Sequence, residues 1–210
     1  TFAALTSGDY NSGYGYNALA ALTTGTNNVA IGRQALSTVT TTSNQTAVGS
    51  EALKVTTGEN NTGLGAMSLR ANTSGTENVA VGYEALDDNT TASFNTGLGS
   101  RSLTVNTTGA SNTAVGRDAL RAATYPCCNT ALGAQAGYWV TTGTNNLFLG
   151  TDAGMAKTPS GTVTTGSNII NMGNNSVSAL YCADTSISSS VFIYSIPSQF
   201  LNLVGLFSYN

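Results

Sequence analysis

Glycines close a recurring phrase at residues 15, 32, 49, 65, 82, 99, 116, 133 and 150, in steps of 17 with one step of 16. A degenerate copy ends at Gly173. The phrase reads NNVAIGRQAL at 27–36, NQTAVGSEAL at 44–53, NTGLGAMSL at 61–69 and NVAVGYEAL at 78–86. So regular a period demands a solenoid, in which each repeat forms one coil and buries its apolar groups on its neighbours. One active site serves one domain, so a phrase repeated on every coil serves geometry.

The columns of the repeat say what each position does. Before each glycine stands a large apolar residue (Ile31, Val48, Leu64, Val81, Leu98, Val115, Leu132), and two before it a small one (Ala30, Ala47, Gly63, Ala80, Gly97, Ala114, Ala131). Successive residues of a strand face opposite sides. One face is therefore aliphatic and the other almost bare backbone, which predicts that another surface approaches the bare face closely. Three residues after the glycine comes Ala or Ser and then Leu (Leu19, Leu36, Leu53, Leu69, Leu86, Leu103, Leu120), read as a second short strand. Connectors such as Thr57-Gly58 and Thr142-Gly143 supply turns. Each coil is thus expected to hold two short strands and two turns, stacked about 4.8 Å from the next. The Asn that opens the phrase, at Asn28, Asn61, Asn78, Asn95 and Asn112, is expected to form an amide ladder. Gly32, Gly49, Gly65, Gly82, Gly99 and Gly116 form the matching glycine column. Copies of the chain packing on the bare face would complete the thin core.

Composition removes most chemistries. The chain has 7 basic and 10 acidic residues, a net charge of −3 and no histidine. Serine–histidine and cysteine–histidine catalysis are excluded, and neither a metal site nor a cofactor is expected. Nucleic acid is not an expected partner, because counterion replacement needs clustered cations. Membrane insertion is not expected either, because the apolar stretch at 191–207 is short and interrupted by Ser195, Pro197, Gln199 and Asn202. No signal-peptide pattern is legible at Thr1. The acids are scattered, and the adjacent pair Asp87-Asp88 reads as a solvated turn rather than a glycoside-cleaving dyad. Cys127 and Cys128 are expected as free thiols in a turn, since neighbours can bridge only through a strained ring, and Cys182 stands far away.

Outside the ladders the candidates are few. Glu84, Arg101 and Asp118 share a column two residues after the glycine and read as a surface charge ladder. Asn-x-Ser/Thr triplets at Asn44, Asn60, Asn72, Asn89, Asn106 and Asn174 follow from a Thr- and Asn-rich composition. Recognition, which needs something other than a uniform rung, is expected where the repeat breaks: at 125–128, at Tyr138-Trp139, at 157–161 and beyond Gly173. Tyr138-Trp139 reads first as a packing plug where Gly137 replaces the usual Leu, and second as an aromatic platform for a sugar.

The phrases NNVAIGRQAL, ENVAVGYEAL and SNTAVGRDAL resemble the head repeats of trimeric autotransporter adhesins, which build a left-handed parallel β-roll. The longer period and NTTG connectors are still more similar to arrays in bacteriophage tail fibres. GNNSVSALYCADTSISSS at 173–190 resembles the strand that precedes a self-cleaving chaperone in such fibres, although VFIYSIPSQF follows instead of the chaperone. The resemblance implies a homotrimer on an extracellular or virion surface, with a cell-surface glycan or other envelope receptor as the outside partner.

The expected fold is therefore all-β, a parallel β-roll or β-solenoid of about 17-residue coils assembled as a homotrimer. Residues 1–9 are expected as a lead-in, 10–156 as the array, 157–190 as a degenerate coil and terminal strand region, and 191–210 as an apolar tail. The expected function is a non-enzymatic fibre shaft or head for attachment to a cell surface. A purely structural extracellular filament is the alternative, followed by a glycan-degrading tailspike.

Overall fold

A computed structural model describes residues 1–155 and 162–174. The sequence features at 157–161, Cys182 and the segment 191–210 lie outside the described residues, as does most of 173–190.

Among the described residues, ten three-residue strands form one parallel sheet in sequence order: β1 (Ser12–Tyr14), β2 (Val29–Ile31), β3 (Thr46–Val48), β4 (Thr62–Leu64), β5 (Val79–Val81), β6 (Thr96–Leu98), β7 (Thr113–Val115), β8 (Thr130–Leu132), β9 (Leu147–Leu149) and β10 (Ile170–Met172). The register is column on column: Ala80 pairs with Gly97 and Gly97 with Ala114. A parallel β-solenoid with one coil per repeat is the result. The degenerate copy keeps the pattern, because β10 pairs in register with β9 despite the longer connection. The pattern also reaches back through residues 1–9, where the Thr6 hydroxyl and amide both donate to the Thr23 carbonyl one coil later. Residues 6 and 7 thus stack on the following coil in the register of the array.

The two strand faces are the reverse of the expectation. Ala30, Ala47, Ala80, Ala114 and Ala131 are fully buried inside the single chain, whereas Ile31, Leu64, Leu98 and Leu132 on the opposite face are 37–44 % exposed. The bare column is needed because the coil is narrow. Leu36, Leu53, Leu86 and their equivalents reach across from the opposite wall, and only a methyl group or hydrogen fits between them and the strand. The surface that approaches the bare backbone is therefore the chain's own leucine column. Ala80→Leu or Ala114→Leu would overpack this interior, not a contact between copies.

The expected second strand is a turn. Leu36, Leu53, Leu86, Leu103 and Leu120 adopt φ of 48–52°, and the residues two before them are left-handed as well. A left-handed leucine costs about 1–2 kcal/mol. Complete burial of its side chain contributes about 1.5–3 kcal/mol and offsets that cost. Its amide is also satisfied one coil on, as in Leu36 N–H to the Ala52 carbonyl at 3.1 Å. The rung-to-rung hydrogen bonding of the sheet thus continues around the corner.

Core volume is conserved by exchange within each coil. Where the strand carries Gly63 or Gly97 instead of Ala, the facing position carries Ser68 or Ser102 instead of Ala, and its hydroxyl donates to the Gly65 or Gly99 carbonyl. A larger exchange occurs at the C-terminal end. Gly137 and Gly154 replace two leucines, and fully buried Phe148 replaces the usual alanine between them.

Candidate functional site

The expected asparagine ladder is present and is the main polar spine of the rod. The Oδ1 of each asparagine accepts the backbone N–H of the equivalent residue on the next coil at 2.9–3.0 Å: Asn61 from Asn78, Asn78 from Asn95, Asn95 from Asn112, Asn112 from Asn129. Each Nδ2 donates to a carbonyl on the following connector, as Asn28 does to Thr42 and Asn95 to Gly109. Both ends of the amide are used, inside a wall that water does not reach. Gln45 takes the place of asparagine on one coil: its backbone N–H still donates to Asn28 Oδ1 at 3.0 Å, but its own Oε1 has no hydrogen-bond partner and passes no bond to the next rung. That break precedes the 16-residue step between Gly49 and Gly65.

Two further ladders escaped the sequence reading. Asn72, Asn89 and Asn106 stack fully buried on a second column, with Asn89 and Asn106 Nδ2 donating to the preceding Oδ1 and Asn72 Nδ2 to the Thr56 hydroxyl. Their burial removes three of the Asn-x-Ser/Thr triplets from the accessible surface, while Asn44 and Asn60 remain exposed. Thr73, Thr90, Thr107 and Thr124 form the other, each hydroxyl donating to the next threonine carbonyl. The seventeen-residue spacing of both sets was the available signal.

The charged side chains are segregated. Arg33, Lys54, Arg70, Arg101, Arg117 and Arg121 are all the basic side chains among the described residues, and each stands one, two or five places after a strand-closing glycine. The left-handed turns bring those three columns onto one corner. Glu51 pairs there with Arg33 and Lys54, and Asp87 with Arg70 at 2.9 Å. The expected Glu84–Arg101–Asp118 alternation forms an ion pair on its second half only among the described residues: Arg101 Nε lies 3.1 Å from Asp118, while Glu84 pushes up the neighbouring Tyr83 hydroxyl. Asp118 is 2 % exposed and gathers three cations, with Arg117 at 2.9 Å and Arg121 at 3.6 Å as well as Arg101.

Asp87 is not the solvated turn residue its sequence context suggested; it is buried, and Asp88 alone of the pair is exposed. Burial pushes its carboxyl up to about 6, against the pull of Arg70 and with added repulsion from Asp88 and Glu84. The folded chain thus holds this proton more tightly than the unfolded one. The linked stability is fully present below about pH 4 and is lost as pH rises through about 6. It amounts to no more than about 3 kcal/mol. Glu51, lowered by its hydrogen bond to Arg33, acts in the opposite sense at lower pH. Melting curves between pH 4.5 and 7.5 should therefore show a fall for the native chain that is absent from Asp87→Asn.

Cys127 and Cys128 are joined as a vicinal disulfide, not held as free thiols. Cys128 occupies a left-handed position that every coil uses at this point, so the turn is set by the repeat before the bridge closes.

Tyr138 and Trp139 are brought together, but not as a plug. The space left by Gly137 is filled by Phe148, against which a Cβ on Gly137 would sit at 2.9 Å. Trp139 remains 46 % exposed, its ring 4.6 Å from that of Tyr138 in an edge-to-face arrangement at 65°. The Tyr138 hydroxyl accepts a 2.6 Å hydrogen bond from Arg121. Among the described residues there is no cluster of three or more metal-ligating side chains, and no helix is long and apolar enough to cross a membrane. Comparison of the chain with protein-family models, with curated proteins and with solved structures found no match.

Proposed function

We propose that the chain is a non-enzymatic segment of a fibre, the shaft or head of a homotrimeric phage tail fibre or surface adhesin, which attaches to a cell envelope. The observation that carries this reading is the outward face of the sheet. Ile31, Leu64, Leu98 and Leu132, with Val79, Ile170 and Met172, form a half-exposed aliphatic stripe that follows the stacked strands from coil to coil. Monomeric proteins do not normally display so continuous an apolar strip, and its straight repeating form suits a parallel copy of itself. The repeat resemblance supplies the number three. Glycan cleavage would need two free carboxylates across one bond, whereas Glu51, Asp87 and Asp118 are each engaged by cations.

The structural-filament reading draws on the uniformity of the ladders. Labelled chain incubated with intact bacterial cells and with cultured epithelial cells separates the two. Saturable binding to either, competed by unlabelled chain, is the expected result. No binding to any envelope supports the filament.

A further inference from the structure

We propose that the corner formed by Arg101, Arg117, Arg121, Tyr138 and Trp139 is a binding site for an acidic glycan, with a sugar carboxylate held by Arg117 and Arg121 and a sugar ring laid on Trp139. The proposal rests on the attachment reading and names its ligand class.

Charge is the first ground. Three guanidiniums surround the single carboxylate of Asp118, an excess of two positive charges at that carboxylate, while the next acids of the same column are Glu84, one rung before Arg101, and Asp152, two rungs after Asp118. Each guanidinium carries five N–H donors, and one buried carboxylate cannot occupy fifteen. Arg117 is 57 % exposed while its Nη1 is held by Asp118, so the remaining edge of its fork faces solvent in a fixed orientation. A planar fork of this kind binds a carboxylate through two parallel bonds. Elsewhere the field opposes an anion, because the described charged side chains off this corner are Asp9, Glu59, Glu77 and Asp88. An acidic chain approaching the rod is therefore directed here.

The aromatic pair is the second ground, and it is independent of charge. Trp139 is the single tryptophan of the chain, and Phe148 has taken the core position that would otherwise explain it. An indole that is 46 % exposed and does not fill the core offers an apolar face with a polar edge, suited to a saccharide. Tyr138 joins the two halves: its ring stands against Trp139, the Arg121 guanidinium carbon lies 5.7 Å from its centre, and its hydroxyl binds Arg121. Cation and indole are thus oriented before any ligand arrives, which lowers the ordering cost of binding. The adjacent coils carry Arg121 and Met155 in the Tyr138 column, and more distant ones Ser37, Lys54 or Thr104, so the combination occurs once along the described rod.

Trp139 makes the test direct, because intrinsic tryptophan emission reports this site alone. The full chain is titrated with tetragalacturonate, with its methyl ester, with sialyllactose and with dextran sulfate. The expected result is a saturable emission change with tetragalacturonate or sialyllactose and none with the methyl ester; the two acids distinguish uronate from sialate. Arg117→Gln should weaken binding at least tenfold, and calorimetry should show the same for Trp139→Ala, with both variants melting as the native chain does. If Arg117→Gln melts early, Arg117→Lys, which keeps the charge but not the fork, should still weaken binding severalfold. Equal response to the methyl ester, or binding unchanged in Arg117→Gln and Trp139→Ala, overturns the proposal. Binding of dextran sulfate alone also overturns it, since it marks a general polyanion patch. Native cell binding that survives both substitutions removes this site and leaves attachment standing, whereas saturable uronate binding without any cell binding does the reverse.

Discussion

Gly82→Ala should destabilise the chain by roughly 2–6 kcal/mol, although it adds one methyl group. Gly82 has φ of 132°, well outside the left-handed well that a side chain tolerates, so backbone strain is unavoidable. The new Cβ would also lie 2.6 Å from the carbonyl carbon of Gly99 and 2.7 Å from its oxygen. That neighbour is backbone of the next rung, hydrogen-bonded from the Gly99 amide to the Val81 carbonyl at 2.8 Å, and cannot rotate away. Strain and contact add because they act on different coordinates. Denaturant unfolding measures the loss; a change below about 0.5 kcal/mol would mean the coils do not stack glycine on glycine.

Asn95→Ala should cost about 2–4 kcal/mol. Its Oδ1 accepts from the Asn112 amide at 2.9 Å and from the Asn112 side chain at 3.1 Å, and its Nδ2 donates to the Gly109 carbonyl at 2.9 Å. Gly109 and the Asn112 side chain keep other partners, but the Asn112 backbone N–H is left buried and alone. The orphaned donor is the largest part of the loss. In a solenoid the damage falls on the interface between neighbouring rungs, so it should appear as earlier local opening there. Hydrogen exchange at the Asn112 amide should speed up by one to two orders of magnitude. An unchanged rate would show that the ladder bond does not hold the rung.

The period, the strand position and the asparagine column were legible because each is a single repeated letter or class. Which strand face is inner was not. Alternation assigns Ala114 and Val115 to opposite faces, but it does not say which one a narrow coil encloses; that depends on how far the opposing Leu120 reaches. Leu36 and its equivalents were read as strand because Ala or Ser followed by Leu makes a second short apolar segment; bulky residues avoid positive φ, and here complete burial outweighs that preference. The Phe148 exchange was visible as two missing leucines and one missing alanine, yet Trp139 drew the eye to the wrong filler. Of the Asp118 cluster only the Arg101–Asp118 pair was legible, from the seventeen-residue column; Arg117 and Arg121 could not be added without the turn geometry. Arg101 is seventeen residues away from Asp118 and Arg121 three, and only the left-handed corner brings them to one carboxylate.

Self-association through the outward aliphatic face carries the fibre reading, and sedimentation equilibrium tests it most directly. The native chain should sediment at three times its 21.3 kDa mass over a tenfold range of concentration. Leu98→Lys, which places a charge at a 44 % exposed position without touching the core, should shift it to the single-chain mass with its circular dichroism unchanged. A native chain that sediments at 21.3 kDa throughout that range would contradict it.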